Sequence, residues 1–340
     1  MDIESLLREL VKRGGSDLHI CVGLPPVMRI QGSLLKSDNA ALEHKQILDL
    51  LQRVVLTERK ITFDSLTELD LGFEISGLGR FRCNIYTDRN GIAAAFRHIP
   101  EKIKTLEELG LPAAVSHVCY MKKGLVIVTG LTGSGKTTTL ASLIDKINRE
   151  RSEHIITIED PIEFIYKPVK SVINQRELGT HTNSFLSALK ASLREDPNII
   201  LVGELRDLET ISMAMTAAET GHLVLTTLHT GGAAQVVDRI IDVFPPHQQE
   251  QIRVQLAHCL EMVISQVLVP SIDKNSRCLA CEIMLSTNAI RHLIRERKTF
   301  MLKAEIETGF KHGMLTLEKS LQELVNTGKI SPEVAAQWEG

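Results

Sequence analysis

The chain has no run approaching the ~18 consecutive apolar residues of a membrane span. Its first residues, Met1-Asp-Ile-Glu-Ser-Leu-Leu-Arg8, lack the basic and apolar stretches of a secretory signal. A cytoplasmic protein is expected. Charge of one sign is lacking too: 39 basic and 42 acidic side chains leave −3. That balance offers no basic footprint for nucleic acid, although a small basic channel would be hidden in a net count. Aromatics are only 4% of the 340 residues while 43% are hydrophobic, which is ordinary for a soluble α/β protein. The length gives room for about two domains of ~100–200 residues each. Cysteine is sparse. Cys21, Cys83, Cys119 and Cys259 stand singly, as small hydrophobes in a reducing compartment do. Cys278-Leu-Ala-Cys281 has ligand-like spacing but lacks the second pair that a tetrahedral zinc site needs.

What is present begins with Gly130-Leu-Thr132-Gly133-Ser134-Gly135-Lys136-Thr137, set between the apolar run Leu125–Thr129 and a helical pattern over Thr138–Asn148. Glycines let the backbone wrap so that successive N–H groups point at phosphate oxygens, and the helix that follows adds its positive end. Lys136 is expected to reach the β/γ-phosphates of a nucleoside triphosphate, and Thr137 to ligate Mg²⁺.

Residues 1–98 read as a small α+β domain. Ile3, Leu6, Leu7, Leu10 and Val11 fall at helical spacing before Gly14-Gly15; strands follow over Asp17–Val22 and Val27–Ile30, and a helix near Lys45–Leu56. Strands Arg80–Tyr86 and Ile92–His98 flank Arg89-Asn90-Gly91, whose Asn-Gly pair predicts a hairpin turn. Phe81, Cys83 and Ile85 alternate with Arg80, Arg82 and Asn84, so Arg82 and, from the next strand, Arg97 can face something anionic. A charged stretch punctuated by Pro100 and Pro112 predicts a linker over 99–112. Residues 113–286 alternate strand-like runs (Leu125–Thr129, Ile155–Glu159, Asn198–Val202, Leu223–Leu228) with helical ones, the pattern of a largely parallel sheet covered by helices. Phe185, Leu189 and Leu193 predict one of those helices, and Ile252, Leu256, Leu260, Val263 and Val267 a longer one. Residues 287–340 read as wholly helical.

Open α/β sheets bind ligands at the carboxyl ends of their strands. Such ends here carry Glu159-Asp160-Pro161-Ile162-Glu163, where proline stops the strand, and Gly203-Glu204-Leu205-Arg206-Asp207. The slot that usually holds a Mg²⁺-binding aspartate is Gly203, so Glu163 is expected to share the metal and Glu204 to deprotonate the attacking water. His222 and His229 bracket the run Leu223–Leu228; His229 is expected beside the phosphates, and His222 in a conformational or intersubunit role.

Together, Gly130–Thr137, Ile156-Thr-Ile-Glu-Asp-Pro-Ile-Glu163, Leu201-Val-Gly-Glu-Leu-Arg206-Asp207 and Thr220-Gly-His222 with His229 resemble the Walker A, Asp box, atypical Walker B and His box of the type II/IV secretion ATPases. Ser16-Asp17-Leu18-His19 and the stretch up to Arg29 resemble that family's PAS-like N-terminal domain. The segment Ala289-Ile290-Arg291-His292-Leu293 resembles the family's pilus-retraction motors, with His292 where asparagine is usual.

The resemblance implies an α/β fold with a PAS-like domain, a RecA-like P-loop core and a C-terminal helical extension. It further implies a homohexamer with ATP between the two domains of each subunit, and Arg82 and Arg97 completing the site. It also implies a role in retraction at the inner face of the cytoplasmic membrane, acting on a platform protein of the PilC type. The alternatives are an accessory ATPase of the PilU type, a regulatory subunit that binds nucleotide and works by assembling with another ATPase, or a RecA-like nucleic-acid translocase.

Overall fold

Alternating apolar and polar residues build one kind of sheet in the first hundred positions, and uninterrupted apolar runs build another beyond them. The computed structural model describes residues 2–30, 32–55, 68–99, 102–273 and 276–338. Two units emerge: Met1–Lys102 with Pro161–Ile165, and Ile103–Asp160 with Tyr166–Gly340. Among the described residues no helix is long and apolar enough to cross a membrane.

In the first unit, α1 (Ile3–Lys12) starts at Asp2, whose carboxylate accepts from the Ser5 amide, and buries Ile3, Leu6, Leu7 and Leu10 along one stripe. The strands are β1 (Gly15–Ile20), β2 (Val27–Ile30), β3 (Ser33–Lys36), β4 (Glu68–Ile75), β5 (Gly79–Asp88) and β6 (Gly91–Ile99), with α2 (His44–Val55) before β4. They form an antiparallel sheet in the order β3-β2-β1-β6-β5-β4. One face packs on α1 and α2 through Leu18, Phe73, Phe81, Cys83, Ile85 and Phe96, and the other carries the polar residues that alternate with them. The β5–β6 turn differs from expectation by one place. Asp88 pairs with Gly91, so Arg89 and Asn90 occupy the turn, held by the Asp88 carboxylate accepting from the Asn90 and Gly91 amides. Leu56 of the expected helix and Pro100 and Glu101 of the expected linker lie outside the described residues.

The second unit holds β7 (Gly124–Thr129), α3 (Lys136–Glu150), β8 (His154–Glu159), β9 (Val172–Glu177), α4 (Phe185–Ser192), β10 (Ile199–Val202), α5 (Leu208–Glu219) and β11 (Leu223–Leu228). It continues with α6 (Ala233–Asp242), α7 (Pro246–Cys259), β12 (Leu260–Pro270), β13 (Arg277–Leu285), α8 (Asn288–Arg295), α9 (Leu302–Thr308), α10 (Leu317–Asn326) and α11 (Pro332–Ala336). The sheet order is β13-β12-β7-β11-β10-β8-β9, parallel except for the β12–β13 pair. Every residue of β7, β10 and β11 is buried, as helices on both faces of a parallel sheet require. Each fully buried Val, Leu or Ile there contributes about 1.5–3 kcal/mol.

One sequence expectation is overturned. The stripe from Ile252 to Val267 is not one helix: α7 stops at Cys259, and Leu260 opens an eleven-residue strand. Met262-Val-Ile-Ser-Gln-Val-Leu-Val269 is rich in β-branched residues, and pairing with β7 on one side and β13 on the other decides in favour of strand. The C-terminal stretch is helical apart from a bridge between Leu315 and Ile283.

Candidate functional site

Strands buried on both faces have little room for charge along their length, and β7, β10 and β11 carry no charged residue at all. β7, β11, β10 and β8 run parallel and deliver charged residues to one edge. After β7 the chain turns through Gly130 (φ 141°), Gly133 (φ 80°) and Gly135 (φ 88°), all in the left-handed region that favours glycine. Gly135 caps α3 and Lys136 is its first residue, so Lys136, Thr137 and Thr138 form the helix's positive end. Thr132 and Gly133 are exposed, whereas Ser134 and Lys136 are buried.

The Lys136 ammonium donates to the carbonyls of Gly130 (2.8 Å) and Leu131 (3.1 Å) and lies 3.3 Å from His229 Nδ1. Burial pulls its pKa down, and the Glu204 carboxylate opposes that. His229 Nε2 is 3.4 Å from Glu204 Oε1, and Glu204 Oε2 accepts from Arg206 Nε at 2.9 Å. A neutral His229 with its proton on Nε2 satisfies both neighbours, accepting from the lysine and donating to the carboxylate. The chain Lys136–His229–Glu204–Arg206 thus follows the strand order β7, β11, β10.

Threonines pin this chain to the sheet. Thr129 Oγ1 accepts from the Thr230 amide at 2.9 Å, and Thr227 Oγ1 donates to the Gly203 carbonyl at 2.6 Å. From the far side of β7, the fully buried Gln266 of β12 donates to the Ser134 carbonyl (2.7 Å) and accepts from Thr139 Oγ1 (3.0 Å). β8 delivers Glu159 to the same edge; it is 5% exposed and accepts from Thr157 Oγ1 at 2.6 Å. Glu163 follows beyond the end of β8. It belongs to Pro161–Ile165, the segment grouped with the N-terminal unit, where Arg80 Nε donates to the Ile162 carbonyl at 2.8 Å. Gly72 makes room for that arginine: a Cβ there would come within 2.7 Å of Arg80 Nη2.

In the N-terminal unit Arg82 and Arg97 are direct cross-strand partners on the polar face. The register extends the row to Asp17 and Arg29. Arg97 Nε bonds Asp17 Oδ1 at 2.8 Å, and Arg82 lies 3.5 Å from Asp70. Like charges directly opposite repel, so the row depends on its aspartates or on another anion.

The remaining sequence candidates sit at the opposite edge of the parallel sheet. His222 precedes β11; its Nδ1 contacts the Ala217 carbonyl at 2.9 Å, at the end of α5, and its own carbonyl accepts from the Gly124 amide. Arg291 clamps the end of α7, donating to the Ala257 and His258 carbonyls (2.7 and 2.8 Å) and to Glu261 (2.8 Å). It lines a cavity of about 280 Å³ with Lys123, Gly124 and Arg295. Ile290 is fully buried, Leu293 packs on the same core and Ala289 is exposed. The structure brings Lys136, His229, Glu204 and Arg206 together and leaves His222, Ala289, Ile290, Arg291 and Leu293 apart from them. Sequence reasoning missed Thr129, Thr227 and Gln266, whose only signal was a polar side chain within an apolar strand.

Known proteins resemble this chain along nearly its whole length. The chain is 47% identical to the type IV pilus retraction ATPase PilT of Pseudomonas aeruginosa over 99% of its own length and 98% of that protein's. It is 38% identical to the type IV pilus ATPase PilU of the same organism, over 98% of this chain and 88% of that one. The crystal structure of the pilus retraction motor PilT with bound ADP superposes with a TM-score of 0.91 at 43% identity, covering 100% of this chain and 97% of that one. The model of the type II/IV secretion system proteins matches residues 2–334, and the chain belongs to that family.

Proposed function

We propose that the protein is a Mg²⁺-dependent ATPase that powers type IV pilus retraction. The observation that supports the nucleotide half is the contact chain from Lys136 through His229 to Glu204, a cation, an imidazole and a carboxylate in a row beside the glycine loop. In this reading phosphate oxygens take the Lys136 ammonium from the Gly130 and Leu131 carbonyls. Glu204 accepts the proton of the attacking water, and His229 holds that carboxylate in place and answers to the γ-phosphate. Gly130, Thr132, Gly133, Ser134, Gly135 and Thr138 cradle the phosphates with their backbone, and Arg206 fixes the second oxygen of Glu204.

The residues fit Mg²⁺. Among the described residues no group of three or more His, Cys, Asp or Glu is arranged to hold a metal by itself, and Mg²⁺ in phosphate sites takes one or two protein oxygens, waters and the phosphates. Thr137 and Glu163 would hold it, and the ion would neutralise charge developing on the phosphate oxygens. Arg82 and Arg97 would add guanidinium charge to the transferring phosphate, tying hydrolysis to the movement of the unit that carries them.

The retraction half rests on identity to PilT along nearly the whole chain, higher than the identity to PilU. We infer a homohexamer at the cytoplasmic face of the inner membrane, acting on a PilC-type platform protein, with a PilU-type paralogue as a further partner and without nucleic acid. Gene deletion complemented by parent or by Glu204→Ala tests this. Deletion and variant are expected to give surplus surface pili without twitching, and the parent to restore twitching. Loss of surface pili on deletion would overturn the retraction reading.

A further inference from the structure

Gln266 contacts the glycine loop more extensively than any catalytic role for the loop requires. Its side chain is fully buried in a strand whose neighbours are Ile264, Val267 and Leu268, where leucine would fill the space with no polar group to satisfy. Instead the amide donates to Ser134 O and accepts from Thr139 Oγ1, one residue in the loop and one in the first turn of α3.

One of the loop's glycines is shaped by the same side chain. A Cβ on Gly135 would lie 3.3 Å from the Gln266 Nε2, and one on Gly130 would lie 2.3 Å from the backbone oxygen of the same residue, close to the β12 main chain. A Cβ on Gly133 would meet nothing within 4 Å. Gly135 therefore makes room for the Gln266 side chain and Gly130 for the β12 backbone, while Gly133 alone of these three leaves its space open.

We propose that Gln266 is a positioning residue of the nucleotide site, fixing the Ser134 peptide and the first turn of α3 in the geometry that receives phosphate. This rests on the reading of the loop as a nucleotide cradle. It also ties the loop to the β12–β13 ladder, because Gln266 pairs with Cys281, whose amide donates to Ser320 Oγ of α10. The C-terminal helices and the phosphate loop thus share one strand pair.

The test compares the parent with Q266L, Q266E and T139V for binding of fluorescent ATP and ADP analogues, KM and kcat for ATP, and thermal midpoint without nucleotide. Q266L and Q266E are expected to weaken both analogues about tenfold and to raise KM by a similar factor. T139V, which removes one of the two bonds, should weaken them two- to fivefold. Parent-level affinity in a folded Q266L or Q266E, with only the thermal midpoint lowered, would overturn the proposal. If neither folds, parent-level affinity in T139V would do so. A parent protein that binds neither analogue would instead overturn the nucleotide reading itself.

Discussion

The two sheets of this protein place charge in opposite ways. In the parallel sheet β7, β10 and β11 are buried throughout, and the functional side chains wait until the strands end. In the antiparallel sheet Arg82, Arg97 and Asp17 sit in mid-strand, because one face of that sheet is open. Exposure of a sheet thus decides where its chemistry can reside. The strand-end site is braced from several elements, by Thr129, Thr227 and Gln266. The mid-strand row relies on its own counter-ions.

The comparison breaks most sharply at the strand ends. Lys136→Ala is expected to abolish nucleotide binding, and Glu204→Gln to lower ATP turnover about 10³-fold while leaving binding of an ATP analogue within a few-fold of the parent, measured by phosphate release and analogue fluorescence. Equal loss of binding in Glu204→Gln would demote it from base to binding residue. At the mid-strand row, Arg82→Ala and Arg97→Ala should each lower turnover of the assembled protein about 10²-fold with little loss of fold. Parent rates in both would leave that row without a catalytic part.

A smaller effect separates the row's stability from its function. Asp17 is 8% exposed and faces Arg97 and Arg29, so Asp17→Asn should destabilise the protein by about 1–2 kcal/mol, read by urea denaturation. A neutral result would mean the arginines need no counter-ion. The smallest effect concerns Glu282, a carboxylate in mid-strand on the sheet's edge strand β13. Burial pushes its pKa up from 4.5, and the bond from the Ala233 amide counteracts this in part. A raised acid pKa contributes stability below 4.5 that is lost as pH climbs through the folded value. Glu282→Gln should therefore stabilise by about 1 kcal/mol at pH 7 and by nothing near pH 4. A gain of equal size at both pH values would assign the effect to packing.

Much of this was legible in the sequence, for reasons that differ between the sheets. Strict alternation around Phe81, Cys83 and Ile85 exposed the face of Arg82, and strand-ending signals around Pro161 and Gly203 marked the parallel edge. Periodicity failed at Leu260, where a helical stripe runs on into a strand, since apolar residues in a strand buried on both faces fit either period. Gln266 was lost with that strand. Glu163 shows a different limit: Arg80 bonds its segment within the N-terminal unit, and only three-dimensional packing reveals which unit claims the five residues that begin with Pro161.

The Lys136 ammonium, held by the Gly130 and Leu131 carbonyls, makes the loop an internal competitor for its own ligand. On the proposed reading, a phosphate would have to win the ammonium from oxygens tethered at high effective concentration, so its observed affinity would fall below the intrinsic value. The cost bears hardest on the ligand that offers fewer phosphate oxygens. If the loop is the nucleotide cradle proposed above, this self-contact would favour release of a diphosphate over a triphosphate.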